Sequence, residues 1–151
     1  MREDSEHNKR LIYFSRLLFV IYMAAAIYIL FVSEKFGRTT TQNFRYNLTP
    51  FVEIKRFAGL LGTRHTFKAA LNLAGNIAVL MPMAFYIAFK LESKRMLIFK
   101  VTFECFVFSV LIELIQLTFK IGIFDIDDII LNTFGGLIAA VIIKIYYRKR
   151  D

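Results

Sequence analysis

The chain has 151 residues, of which 57% are hydrophobic, with a mean hydropathy of +0.52 and a formal net charge of +8. This apolar content is far above that of a soluble domain of the same length, so we expect one membrane-embedded domain covering residues 1–151. The positive charges lie at the ends of apolar runs, which favours contact with membrane lipids and argues against nucleic-acid binding.

Four apolar runs are long enough to cross a hydrocarbon core, which takes roughly 20 helical residues. They cover about residues 11–32, 69–89, 96–119 and 129–147. The first run is too long for the core of a cleaved signal peptide, and no clear small-residue cleavage site follows it. The sequence therefore predicts an all-α integral membrane protein, built as a four-helix transmembrane bundle.

The connection between the first two runs contains a different helical pattern. From about residue 50 to residue 62, apolar side chains recur at helical spacing and charged side chains occupy the opposite side. Pro50 at the start and Gly62 at the end are typical of helix boundaries. We expect an additional amphipathic helix in the membrane interface, in the first outer loop; an ordinary solvated loop helix is the alternative.

The second run carries two asparagines on one helical face. Asn72 and Asn76 are four residues apart, and Gly75 beside them allows close approach of another helix. Pro82 lies in the middle of the run, where it removes a backbone donor and is expected to kink the helix. Either asparagine alone could serve only as interhelical glue.

The third run has a continuous polar stripe, which must face other helices or water because a lipid-facing stripe would be costly. Glu113 is its most informative member, since an ionisable group inside a span is a functional candidate by default. The alternative is a glutamate held by hydrogen bonds as glue between helices. The stripe consists of Thr102, Cys105, Ser109, Glu113, Gln116 and Lys120.

The fourth run begins with an acidic tract. Asp125, Asp128 and Asn132 are spaced by three and then four residues, so they project from one helical face. The same face continues inward through Gly136, with Gly135 alongside, and these small residues predict a helix-packing seam.

Positive charges favour an orientation with both termini in the cytoplasm, although the basic first outer loop leaves the inverted arrangement open. In the favoured orientation the asparagines, Glu113 and the acidic tract all lie near the outer surface. The sequence therefore predicts a polar pocket that opens to the cell exterior.

Four segments, residues 45–51, 72–76 followed by Pro82, 113–116 and 125–136, resemble in order the signature blocks of the VanZ-like family of bacterial membrane proteins. The resemblance implies a multi-pass protein of the bacterial cytoplasmic membrane and a cell-envelope context, since the founding member is associated with teicoplanin resistance. One departure is Ile121-Gly122-Ile123, where many relatives have a polar residue after the glycine. The polar positions carried over from the family are Arg45, Asn72, Asn76, Glu113, Gln116, Asp125, Asp128 and Asn132.

Three classes of function compete, and a noncatalytic binding protein is favoured. Its outward pocket would bind an amphiphile, either a lipid-linked cell-wall intermediate or a lipoglycopeptide, with the Arg45 guanidinium on a phosphate or carboxylate.

The second class is an enzyme acting on a lipid head group, with Glu113 and Asp125 or Asp128 as an acid/base pair. Close acids are more often solvated than metal-bound and no nucleophile constellation is present, so we expect no metal or cofactor and assign no catalytic residue. The third class is a small transporter or flippase, which would need a homo-oligomer because four spans show no internal repeat.

Overall fold

The computed structural model describes residue 17 and residues 19–28, 45–91 and 95–149. Helices account for most of these residues, as predicted. The helices are α1 (Phe19–Tyr28), α2 (Val52–Gly59), α3 (Thr66–Val79), α4 (Met81–Lys90), α5 (Leu97–Thr118) and α6 (Ile126–Arg148). Both ends of the predicted first span, at residues 11–16 and 29–32, lie outside the described residues, as do the N-terminal tail (residues 1–10) and the last two residues.

Among the described residues, two helical stretches are long and apolar enough, by length and composition, to cross a membrane. One is Thr66–Lys90, which joins α3 and α4, and the other is Ile126–Arg148, which is α6. They coincide with the predicted second and fourth spans. Between them, α5 has 22 residues and a length of ~33 Å at 1.5 Å per residue.

The α3–α4 stretch is interrupted at Leu80, where the sequence predicts a kink. Pro82 falls in the first turn of α4, where its missing N–H costs least. The Tyr22 hydroxyl of α1 donates a hydrogen bond to the Val79 carbonyl beside the interruption. Tyr22 therefore joins α1 to the stretch beside the break.

Helix α6 is the centre of the packing, because it contacts α3, α4 and α5. Two adjacent glycines of α6 allow close contact with two different helices. A Cβ on Gly135 would fall on the Ile77 carbonyl of α3, and a Cβ on Gly136 would lie 2.5 Å from the Cys105 sulfur of α5. Small residues continue the contact, since Ala139 and Ala140 are fully buried in the apolar core. The predicted packing seam is therefore present.

The all-α expectation misses a short parallel strand pair. Strand β1 (Tyr46–Asn47) pairs with β2 (Phe124–Asp125), and Phe124 N also donates to the Arg45 carbonyl at 2.9 Å. The chain turns back from α5 to β2 through positive φ values of 57° at Lys120 and 144° at Gly122. This pair holds the segment before α2 against the start of α6.

The helix expected at about residues 50–62 is present but shorter, because α2 begins at Val52 and ends at Gly59. Pro50 precedes the helix rather than opening it, and Phe51 is the N-cap residue with φ 67°. Gly62 has φ 85°, so it serves the turn into α3 rather than the end of α2 itself.

Candidate functional site

Asp127 holds the N-terminus of α2. Its carboxylate accepts hydrogen bonds from the backbone N–H groups of Phe51 at 2.5 Å, Glu53 at 2.7 Å and Ile54 at 3.1 Å. The first turn of a helix has unsatisfied N–H groups and a partial positive charge, so a carboxylate is its best partner. Since Phe51 supplies no side-chain cap, the fully buried Asp127 replaces it from α6.

Asp125 caps the start of α6 and joins it to β1. Its side chain accepts from Asp127 N at 2.9 Å, and the Asn47 amide of β1 donates to the same oxygen at 3.3 Å. An aspartate cap of this kind accepts a hydrogen bond from the otherwise unpaired backbone N–H of the second helical residue. One acidic tract therefore fixes both β1 and α2 against α6.

Glu113 reaches the same tract from α5. It is 1% exposed, and its carboxylate accepts a hydrogen bond from Asp125 N at 3.0 Å. The side chain thus lies where α5, β2 and α6 meet. The expected proximity of Glu113 to the acidic tract is present in the structure.

A second contact joins α3 to α6, where the Asn76 amide donates a hydrogen bond to the Asp128 carboxylate. One turn deeper on α6, the Asn132 amide donates to the Ser109 hydroxyl of α5 at 2.9 Å. Side chains from three separate helices therefore meet at one end of the bundle. We call this group the polar cluster: Asn76, Ser109, Glu113, Asp125, Asp127, Asp128 and Asn132.

The remaining predicted positions lie beside the cluster. Gln116 is fully buried on α5, one turn beyond Glu113, and its backbone carbonyl accepts from Ile121 N at 2.9 Å. Asn72 is half-buried on α3, one turn before Asn76, and Arg45 is exposed at the edge of β1. Arg45 and Asn72 thus lie at the rim of the cluster, whereas Glu113, Asp125 and Asp127 are buried and Asp128 is half-buried.

A protein-family model described as VanZ/LLP1 matches residues 19–147. The chain belongs to the VanZ-like family. This membership and the two apolar helical stretches together identify a membrane-associated protein. No match to the VanZ-like chain was found among curated proteins, and none among solved structures.

The electrostatics of this VanZ-like cluster depend on burial. Desolvation raises the pKa of Asp125 above its ordinary value, against the lowering effect of the hydrogen bonds from Asp127 N and Asn47. The nearby carboxylates of Asp127 and Glu53 raise it further. Burial is the largest of these effects, so Asp125 retains its proton to higher pH than an exposed aspartate.

Within the described residues, no group of three histidine, cysteine or acidic side chains is arranged to hold a metal ion. The acids of the cluster instead accept backbone N–H groups or an asparagine amide. In chemical terms the arrangement positions helices and a strand with charge-assisted hydrogen bonds.

Asp127 is the important residue that sequence reasoning missed. It lies off the face shared by Asp125, Asp128 and Asn132, so helical spacing alone gave it no role. A signal was present in α2, whose N-cap position is occupied by Phe51 rather than by a capping side chain. A helix without a local cap needs a partner from elsewhere in the chain.

Proposed function

We propose that this protein is a multi-pass cell-envelope protein that binds an amphiphilic ligand at the outer rim of the polar cluster and contributes to teicoplanin-type glycopeptide resistance. The ligand is a lipid-linked envelope intermediate or a lipoglycopeptide. The fold proposed for this role is a four-helix transmembrane bundle with both termini in the cytoplasm and α2 in the outer interface.

The packing supports the bundle. Helix α5 lies between the two apolar stretches, contacts α6 and is ~33 Å long, enough to cross a hydrocarbon core of ~30 Å. The predicted first span includes α1, which packs through Tyr22 on the α3–α4 break. In this arrangement the loop before α5 is cytoplasmic and the polar cluster lies at the outer end.

The surface of α2 supports an interfacial position. None of its residues is buried, and large apolar side chains at and after its start remain about half-exposed, including Phe51 and Val52. Leu48, in the preceding segment, is 59% exposed. Apolar side chains on this outer surface are suited to the boundary between head groups and acyl chains.

The observation that carries the binding proposal is the position of Arg45 at the rim of the cluster. Its guanidinium is exposed, while its backbone is held to Phe124, next to Asp125. The guanidinium is suited to a phosphate or carboxylate, and the exposed apolar side chains of Leu48 and Phe51, which follow β1 in the chain, are suited to the acyl part of the same ligand. Asn72, which makes no side-chain hydrogen bond within the described chain, supplies a further polar group at the rim.

The use of the acids favours binding over the alternative of head-group catalysis. The carboxylates of Glu113 and Asp127 accept backbone N–H groups of β2 and α2, so both side chains are engaged in positioning these elements. An acid/base pair would need two carboxyl groups directed at one reacting atom.

The test compares Arg45→Ala with Arg64→Ala in two measurements. Arg64 is also an exposed arginine, in the connection between α2 and α3, so this control removes the same charge from the same side. We expect Arg45→Ala to lower the teicoplanin resistance conferred by the expressed protein and to deplete a copurifying lipid identified by mass spectrometry, with Arg64→Ala close to wild type. An unchanged lipid profile and unchanged resistance in Arg45→Ala would overturn the proposal.

A further inference from the structure

The side of α5 that faces away from the bundle carries a regular stripe of exposed residues. Its members are separated by alternating steps of four and three residues, so they lie along one side of the helix. The residues of α5 that are buried against neighbouring elements, among them Cys105 and Ser109, lie on the opposite side. We call the exposed residues the α5 stripe: Lys100, Glu104, Val107, Leu111, Leu114 and Thr118.

Glu104 is the member of the α5 stripe that a lipid surface does not suit. It lies two helical turns into α5, which is ~10 Å along the helix axis. Its side chain is exposed, and within the described residues it has no hydrogen-bond or ion-pair partner. Charged side chains in membrane-spanning helices almost always pair with another group, and a glutamate side chain is shorter than a lysine side chain that snorkels to the interface. The position of Glu104 therefore indicates a partner from outside this copy of the chain.

Lys100 supplies the opposite charge on the same stripe, one turn before Glu104 and ~6 Å away along the helix axis. The two side chains form no ion pair with each other in the described chain. When two copies pair symmetrically, each stripe meets the same stripe of the other copy. Helical side chains lean toward the N-terminus, so Glu104 leans toward the level of Lys100 of the partner subunit. The stripe is therefore complementary in charge to itself, and two equivalent ion pairs can form.

The apolar part of the α5 stripe has the spacing of a helix-pairing seam. Val107, Leu111 and Leu114 are all exposed and continue the steps of four and three. This spacing keeps two helices in contact along their length, with side chains of one packed between those of the other. Lipid tails are as apolar as these side chains, so apolar contact alone gives little preference for a protein partner. The charged pair therefore determines which helix is recognised.

We propose that the α5 stripe is a homodimer interface, in which Lys100 of each copy forms an ion pair with Glu104 of the partner subunit. The two α5 helices run in parallel, which rests on the transmembrane bundle proposed above, since both copies are then inserted in the same direction. The stripe is on the side of α5 away from Glu113 and the polar cluster. The interface therefore does not depend on the ligand proposed at Arg45.

The test is disulfide cross-linking of the full-length protein in membranes, in a Cys105→Ala background. Leu111→Cys places a thiol in the middle of the stripe and should give a covalent dimer on non-reducing gels. The matched control is Leu71→Cys on α3, a helix that packs on α6 through Ile77; Leu71 is 42% exposed and Leu111 is 47% exposed. We expect the control to remain monomeric. Equal dimer yields from the two cysteines, or no dimer from Leu111→Cys, would overturn the proposal.

Charge reversal in the Leu111→Cys protein tests the ion pairs. Glu104→Lys alone and Lys100→Glu alone should each lower the dimer yield about tenfold, because like charges then face each other. Co-expression of these two variants with different tags should restore a mixed dimer, and so should both substitutions in one chain.

An unchanged yield in the single variants would mean that the stripe faces lipid or a different protein, and would overturn the proposal. Failure of both rescues, with membrane abundance retained, would overturn it as well. Arg45→Ala should leave the dimer yield unchanged, which separates this interface from the ligand site at the outer rim.

Discussion

At the scale of single residues, the acidic tract divides its work among neighbouring positions. Asp125 caps its own helix and binds Asn47 of β1, Asp127 caps α2 from a distance, and Asp128 binds Asn76 of α3. Each carboxylate therefore holds a different element against α6. Substitutions of adjacent aspartates should accordingly have separable effects.

Asp127→Asn should loosen α2 from the bundle. The amide keeps one acceptor but loses the negative charge that three N–H groups share, which we expect to cost about 1.5–3 kcal/mol of local stability. Hydrogen exchange at Glu53 N and Ile54 N would measure this as faster exchange. Asp128→Asn is the control, since Asp128 bonds Asn76 rather than these amides, and equal exchange rates in the two variants would contradict the assignment.

Glu113→Gln should separate function from folding. Glutamine keeps an oxygen that can accept from Asp125 N, so we expect membrane abundance close to wild type. An amide oxygen accepts this N–H more weakly than a carboxylate, so β2 and the β1 segment that carries Arg45 should be held less firmly, and we expect the resistance or lipid phenotype to be abolished. Asp128→Asn, which weakens the contact with Asn76 of α3, should do the same. If phenotype falls only in proportion to abundance in immunoblots of membranes, these residues hold helices together and do nothing more.

The raised pKa of Asp125 gives a pH prediction. Because burial favours the neutral carboxyl in the folded protein, the stability from this group is fully present below the ordinary aspartate pKa of ~3.9. It falls as pH rises through the higher folded pKa. Infrared spectra of the carboxyl C=O stretch, taken as wild type minus Asp125→Asn, should show a titration midpoint above ~3.9, and a midpoint at or below that value would refute the assignment.

At the scale of elements, the adjacent glycines of α6 allow two helices to approach on different sides. Gly135→Ala would force its Cβ against the Ile77 backbone, which cannot rotate away, so we expect a loss of about 1–3 kcal/mol. Thermal unfolding in detergent should show a lower midpoint. In the control Gly59→Ala no atom lies within 4 Å of the new Cβ, and this variant should be neutral or slightly more stable; a similar loss in both would contradict the packing.

Elements also show how much the sequence could predict. The sequence predicted that Asn76, Glu113 and Asp128 lie close together. The helical repeat assigns each side chain to one face of its helix, and the alternating direction of successive spans assigns its depth in the membrane. The β1–β2 pair and the Asp127 cap could not be predicted this way. Their partners are more than 70 residues apart, and a two-residue strand leaves no alternating pattern to recognise.

The helix boundaries also divide into those that the local sequence predicts and those that it does not. Pro50 suggested a helix starting one or two residues early, whereas the observed start is fixed by Asp127, which bonds Phe51, Glu53 and Ile54. The kink at Pro82 was predictable because its cause is local, the missing N–H of proline. Local chemistry is readable in the sequence, and tertiary capping is not.

At the scale of the whole molecule, the proposed topology places the two ends of α5 on opposite sides of the membrane. Single cysteines in a Cys105→Ala background can test this with a membrane-impermeant maleimide on intact cells. Thr63→Cys, exposed between α2 and α3, should be labelled, whereas Arg95→Cys, exposed before α5, should react only after permeabilisation. The reverse pattern would invert the bundle and place the polar cluster on the cytoplasmic side.

The central claim is that the rim of the polar cluster at Arg45 faces outward and is a recognition site for an amphiphile. An experimental structure of the protein purified with its native lipids tests this most directly. We expect density for a head group in contact with the Arg45 guanidinium and for an acyl chain beside Leu48 and Phe51. A structure with lipid retained elsewhere but none at Arg45, or with the cluster facing the cytoplasm, would contradict it.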